Sequence, residues 1–186
     1  MDKFILGKKL GMTTLYNEEG AQNVTLIECE SKVSLLRKKE KNGYDAVQLE
    51  IPKTKRKNVK VEFRVGNTDL KIGDVADVSL FRLGEKAKVS GISKAKGFQG
   101  VVKRHGFAGS PKTHGHKHDL RAPGAIGAGF PEHVVKGKRM AGRMGGTRNS
   151  CKNLKIVFID KEKKLLGVKG AVPGIPGGVV EIRVKN

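Results

Sequence analysis

The 186-residue sequence predicts a mainly β protein: a small antiparallel barrel or sandwich with a long, irregular, basic extension inserted between strands. Three observations carry that expectation. Short apolar-alternating stretches recur through residues 1–90 and 151–186, no long amphipathic helix pattern is present, and residues 91–150 abandon the alternation for glycine and positive charge.

Taken in order, "MDKFILGKKLGMT" has an acidic second residue and a three-residue apolar run. It does not read as a signal or transit peptide, so cytosolic residence is expected. "NVTLIECE" at 23–30 alternates Thr25, Ile27 and Cys29 against Leu26, Glu28 and Glu30, and "YDAVQLEI" at 44–51 does so less cleanly. Both are expected strands. "NEEG" at 17–20 and "KNG" at 41–43 supply tight turns, because Asn and Gly tolerate the positive φ that hairpins need. "KVEFRV", "DVADVSLF" and "AKVSGIS" suggest three more strands before residue 94. After the insertion, "NLKIVFID" reads as a strand, "KEKK" as a turn, "LLGVKG" as a strand, "PGIPGG" as a loop and "VVEIRV" as a strand.

Charge bounds the function. Thirty-eight Lys and Arg against 18 Asp and Glu give +20 and a pI near 10.1, which calls for a polyanionic partner. Nucleic acid fits better than a membrane, since no stretch approaches the ~20 apolar residues of a spanning helix. Cys29 and Cys151 form no CxxC pair and read as reduced thiols.

The change of character falls near Gly91. Residues 91–150 hold 13 of the 25 glycines, three of the six prolines, all five histidines and 12 Lys or Arg against only Asp119 and Glu132. Such a segment buries too little apolar surface to offset the entropy of ordering it, so it is expected to be disordered alone and functional when bound. Only "GFQGVVKRHGF" offers a short helix, with Phe98, Val101 and Val102 on one side. Lys94, Lys96, Lys103, Arg104, Lys112, Lys117, Arg121, Lys136, Lys138, Arg139, Arg143 and Arg148 are spread along it, delivering charge over an extended path. Glycines free backbone amides for phosphate oxygens, and Phe98, Phe107, Phe130 and the histidine rings can stack on unpaired bases. Threading between RNA helices is the expected use.

Several stretches carry a resemblance: "GKKLGMT" at 7–13, "SKAKGFQGVVKRHGF" at 93–107, "THG" at 113–115, "RAPGAIG" at 121–127, "KGKRMAGRMG" at 136–145 and "LLGVKGAVPGIPGG" at 165–178. In order and over nearly the whole chain, they resemble large ribosomal subunit protein three, bacterial type. The resemblance implies a six-stranded Greek-key barrel like those of translation factors, made by residues 1–90 and 151–186. It also implies that 91–150 runs through large-subunit rRNA toward the peptidyl-transferase region. It further implies binding near the 3′ end of that rRNA, a part in early subunit assembly, neighbouring ribosomal proteins as partners, and residence in the cytoplasmic ribosome. No catalytic residue, metal, cofactor, small-molecule substrate, membrane association or homo-oligomer is expected. The rRNA-contacting set adds Lys8, Lys9 and Gln99 to Phe98, His105, His114, His116, His118 and the basic residues above.

The chain departs from the family pattern at three places. It reads "MAGRMG" where the family usually has "MAGQMG", so Arg143 removes the methylatable glutamine and that modification is expected to be absent. His105 stands where many relatives carry Trp, and its smaller ring stacks more weakly. The region 52–63 is shorter than its counterpart, which usually adds a helical excursion before the "EFR" at 62–64.

"SPKTHGHKHDLRAPG" at 110–124 raises a competing reading, a metal-dependent hydrolase using His114, His116, His118 and Asp119. A Gly/Pro-rich loop supplies ligands without a rigid frame, and a divalent cation would add to charge that is already positive. The same rings donate to phosphate and stack on bases, which favours RNA. "GAIGAG" at 124–129 follows no strand and opens no helix, so it is not a dinucleotide fingerprint. An assembly or translation factor that binds rRNA transiently is the remaining alternative.

Overall fold

The structure, a computed structural model, describes residues 3–17, 20–54, 56–66 and 70–184. Its longest strand is the first, β1 (Lys3–Asn17), followed by β2 (Gly20–Glu28), β3 (Ser31–Arg37), a one-turn helix α1 (Lys39–Asn42), β4 (Ala46–Thr54) and β5 (Lys57–Arg64). A two-residue β6 (Val75–Ala76) precedes a 3-10 turn (Val78–Leu80) and β7 (Lys86–Ile92). Then come β8 (Phe98–Gln99), α2 (Val101–His105), β9 (Gly142–Arg143), β10 (Arg148–Asp160), β11 (Leu165–Lys169) and β12 (Val179–Val184). The protein is mainly β, and every strand pair is antiparallel.

The chain divides into two units, one made by the chain up to Ser93 and from Arg148 on, the other by Lys94–Thr147. The expected boundaries therefore shift to 93/94 and 147/148. The reason is strand pairing: β7 continues to Ile92, and β10 begins at Arg148, directly opposite it.

Six strands of the first unit pair in a closed order, β1-β12-β7-β10-β11-β2, with β2 returning to β1. β1 serves two neighbours by length. Its first half pairs with β12 from Lys3↔Val184 to Lys8↔Val179, its second with β2 from Lys8↔Glu28 to Asn17↔Gly20, and a bulge between Lys9 and Gly11 marks the handover. Inside lie Ile5, Ile27, Val89, Ile156, Leu166 and Ile182, each fully buried, with ~1.5–3 kcal/mol of transfer free energy per side chain. Gly7 lets β1 approach β2 closely, since a Cβ there would stand 2.5 Å from Ile27 Cγ2 and 2.9 Å from the Glu28 carbonyl oxygen.

Residues 31–76 correct the expectation that all of 1–90 enters the barrel. They form a second sheet, ordered β5-β4-β3-β6. Alternation identifies a strand but not its sheet. Here Val47, Leu49, Ile51 and Phe63 bury one face, and the Phe63 ring stacks on Phe4 of β1 with centroids 4.9 Å apart, so both sheets share one core. "DVADVSLF" also departs from a full strand: Asp77 Oδ1 accepts from the Val78 amide at 2.6 Å and turns the chain into the 3-10 turn. The "KNG" turn is realised as α1 ending on Gly43 at φ 78°. The centre of the "NEEG" turn, Glu18 and Glu19, lies outside the described residues.

Candidate nucleic-acid interface

The unit Lys94–Thr147 contains little regular structure, and its backbone is organised by short-range clips. Phe98 pairs with Arg143 and Gln99 with Gly142, flanked by Lys96 N donating to Met144 O and Met144 N to Gly97 O, both at 2.9 Å. Gly145 makes this possible: at φ 73°, a Cβ would fall 2.1 Å from the Lys94 carbonyl oxygen. α2 follows, ending on Gly106 at φ 73°, and buries Val101. Of the expected apolar trio, Val101 is buried, Val102 half-buried and Phe98 is 77% exposed, because Phe98 belongs to β8 rather than to the helix.

Two of the expected rRNA contacts hold this unit together. Arg104 Nη1 donates to the Met140 carbonyl oxygen at 2.6 Å, and His105 Nε2 lies 3.0 Å from the same oxygen. Gly142 admits the guanidinium, since a Cβ there would sit 2.7 Å from Arg104 Nη1. The His105 and Phe107 rings are 6.1 Å apart and tilted by 45°. Gln99 donates from Nε2 to the Lys96 carbonyl oxygen.

Farther along, Ser110 N donates to Leu120 O at 3.2 Å, closing a loop that carries Lys112, His114, His116, Lys117 and His118. All five are exposed. His114 stands at φ 61° and Gly115 at φ 81°, so the backbone turns sharply there. Among the described residues no group of three or more His, Cys, Asp or Glu is gathered to hold a metal ion.

Lys94, Lys96, Lys103, Arg121, Lys136, Lys138, Arg139 and Arg143 are also exposed. Among the described residues, no ion pair forms within this unit, so its cations are left for an external anion. Phe130, 89% exposed, is a second unpacked ring in addition to Phe98.

Outside this unit the expected set is revised. Lys9 is 7% exposed, with Nζ donating to the carbonyl oxygens of Val172 at 2.9 Å and Gly174 at 3.2 Å, so it serves the fold rather than a surface ligand. Arg148 pairs with Glu181 through both Nε and Nη2, which raises its already high pKa and neutralises its charge locally. Lys8 is half-buried and lines a cleft of about 350 Å³ with Glu28, Glu30, Lys32 and Glu50. Glu30 in that cleft takes the Lys164 ammonium, which holds its carboxyl below the usual carboxylate range. Between residues 10 and 93, where no local sequence pattern marks a site residue, Arg37 and Arg64 stand on one face of the second sheet.

Comparison with known proteins gives one consistent result. The model of the family described as ribosomal protein L3 matches residues 17–172. Proteins named large ribosomal subunit protein uL3 are similar along almost the entire chain. That of Herpetosiphon aurantiacus is 46% identical, covering 96% of this chain and 94% of its own. That of a Roseiflexus species is 44% identical, with coverage of 96% and 95%. That of Carboxydothermus hydrogenoformans is 43% identical, with 98% and 97%.

Proposed function

The chain belongs to the ribosomal protein L3 family, and on that premise we propose that it is a structural constituent of the large ribosomal subunit, bound to large-subunit rRNA. The family is one of structural ribosomal proteins, and the chain is not an enzyme. The observation that carries the rRNA reading is the unit Lys94–Thr147, whose Lys and Arg side chains other than Arg104 are exposed and, among the described residues, without ion-pair partners of their own. Counterion release on meeting phosphates then supplies the affinity, while Phe98, Phe130 and the histidine rings supply stacking.

In this reading the protein binds near the 3′ end of the rRNA early in assembly. The closed six-stranded sheet is a Greek-key barrel of the translation-factor type that docks on the subunit, and neighbouring ribosomal proteins pack against it. The central unit, Lys94–Thr147, threads toward the peptidyl-transferase region. Arg143 pairs in register with Phe98 in place of the family's methylatable glutamine, so the position carries a permanent cation and no methyl group.

High-salt washing tests the proposal against its alternative, a factor that cycles on and off. A structural constituent stays with the large subunit in dissociating salt. Quantitative release into the wash would favour the transient factor.

A further inference from the structure

Three strands of the second sheet bring two arginines together on its polar face. Arg37 of β3 lies opposite Ala46 of β4, and Ala46 lies opposite Arg64 of β5, so the three share one row and one face. The arginine Cα atoms are thus two strand spacings, roughly 9–10 Å, apart, with the smallest side chain of the row between them. Tyr44 draws the two heads together: its ring lies under both guanidinium groups, with Arg64 Cζ 4.8 Å and Arg37 Cζ 5.8 Å from its centroid.

Glu62 fixes the ring. It accepts from Tyr44 Oη at 3.0 Å, from Arg37 Nε at 2.8 Å and from Gln48 Nε2 at 3.1 Å. Only Nε of Arg37 is consumed; among the described residues its Nη groups, and all the side-chain N–H groups of Arg64, have no hydrogen-bond partner. Arg64 is exposed, and the Arg37 side chain is 32% exposed. The arrangement has one carboxylate for two guanidinium groups, with side-chain entropy already given up and donors facing outward. That is a preorganised receptor for an oxyanion, because guanidinium forks match phosphate oxygens.

We propose that Arg37 and Arg64, positioned by Tyr44 and Glu62, form a second RNA phosphate site on the four-stranded sheet, separate from the Lys94–Thr147 unit. It rests on the rRNA reading above and gives the chain an anchor in the unit that carries the barrel. Tyr44 and Glu62 are positioning residues; the two guanidinium groups meet the phosphate.

The test is the salt dependence of binding of the full chain to purified large-subunit rRNA. Arg64→Gln should lower the log–log slope by about 0.7–0.9, and Arg37→Gln with Arg64→Gln by about twice that. The thermal midpoint of Arg64→Gln should fall only slightly, because its guanidinium makes no hydrogen bond in the fold among the described residues and gives up one exposed contact with the Tyr44 ring. Tyr44→Phe keeps the ring and should keep the slope, whereas Tyr44→Leu should weaken binding at fixed salt without removing a charge. An unchanged slope in both arginine variants, with wild-type binding intact, would overturn the site and leave the rRNA reading standing. Loss of affinity for purified ribosomal proteins rather than for rRNA would also overturn it. Absence of rRNA binding by the wild type would sink both.

Discussion

Lys9 in β1 donates from Nζ to the carbonyl oxygen of Val172 at 2.9 Å, joining positions 163 residues apart. Its backbone repeats the link, with Lys9 N donating to Gly178 O at 2.9 Å and Gly177 N to Lys9 O at 2.7 Å. The ammonium is thereby spent on the 172–178 loop that leads into β12. Lys9→Met should cost about 1–3 kcal/mol, the typical penalty for leaving buried partners unsatisfied, and should leave the salt slope of rRNA binding unchanged. Denaturant unfolding and binding titrations check the two halves; a lowered slope at wild-type stability would return Lys9 to the RNA surface.

Gly7 and Gly11 lie on the same strand and should respond oppositely to alanine. A Cβ at Gly7 meets Ile27 and the Glu28 carbonyl oxygen, whereas one at Gly11 meets nothing within 4 Å. Gly7→Ala should destabilise by about 1–3 kcal/mol through overpacking. Gly11→Ala should be neutral or stabilising by up to about 1 kcal/mol, since it restricts the unfolded chain. Equal midpoints for the two variants would mean that β1 can shift away from β2 without cost.

These two positions show what the sequence does and does not disclose. Alternation in "NVTLIECE" and "VVEIRV" placed β2 and β12, because one face of each meets the core and the period is two. β1 was invisible for the converse reason: Phe4, Ile5 and Leu6 are all buried, and past the bulge Leu10, Met12 and Tyr16 are exposed, so no alternation survives. Sheet membership was also hidden, since Val47 and Leu49 would alternate identically in either sheet. In the basic unit, composition announced the exposed cations, but Arg104 and His105 bond a carbonyl oxygen of Met140, 35 or 36 positions away, which no local pattern encodes.

Acidification should weaken the fold partly through Glu62. Hydrogen bonds from Arg37, and then from Tyr44, hold its carboxyl below the ordinary glutamate value. A depressed folded-state pKa stabilises the fold above the unfolded pKa of ~4.3, and that stabilisation is lost as pH falls through the folded value. Unfolding free energy measured from about pH 6 down to pH 3 should therefore decline, and Glu62→Gln should decline less steeply over that window. Identical slopes would show that Glu62 contributes nothing to the acid limb.

Limited proteolysis of the isolated protein should cut first within 111–140. Every residue from Pro111 to Met140 except Ala122 is exposed, and only Val101 is buried in that unit, so local opening costs little. The flanking strands should remain associated after cleavage, because β7 pairs with both β10 and β12. First cuts among residues 3–54 would contradict the division into two units.

The basic unit carries two kinds of group with different physical work, and variants should separate them. Lys136, Lys138 and Arg139 are exposed, so alanine at all three should barely change stability. Each phosphate they neutralise releases counterions, and the slope of log affinity against log salt should fall by up to about 0.7–0.9 for every phosphate no longer neutralised. Phe98 offers a ring that is 77% exposed, paired through its backbone with Arg143 and carrying no charge. Phe98→Ala should keep the slope while losing about 1–3 kcal/mol of stacking at one place. Its effect should therefore fall on how the unit seats, read as a slower peptidyl-transfer rate in reconstituted subunits at normal protein content. The triple variant should show the reverse, with poor incorporation during reconstitution but a near-normal rate in the subunits that do form. If the triple variant kept the wild-type slope and Phe98→Ala lost it, the charge of this unit would have to serve something other than phosphate.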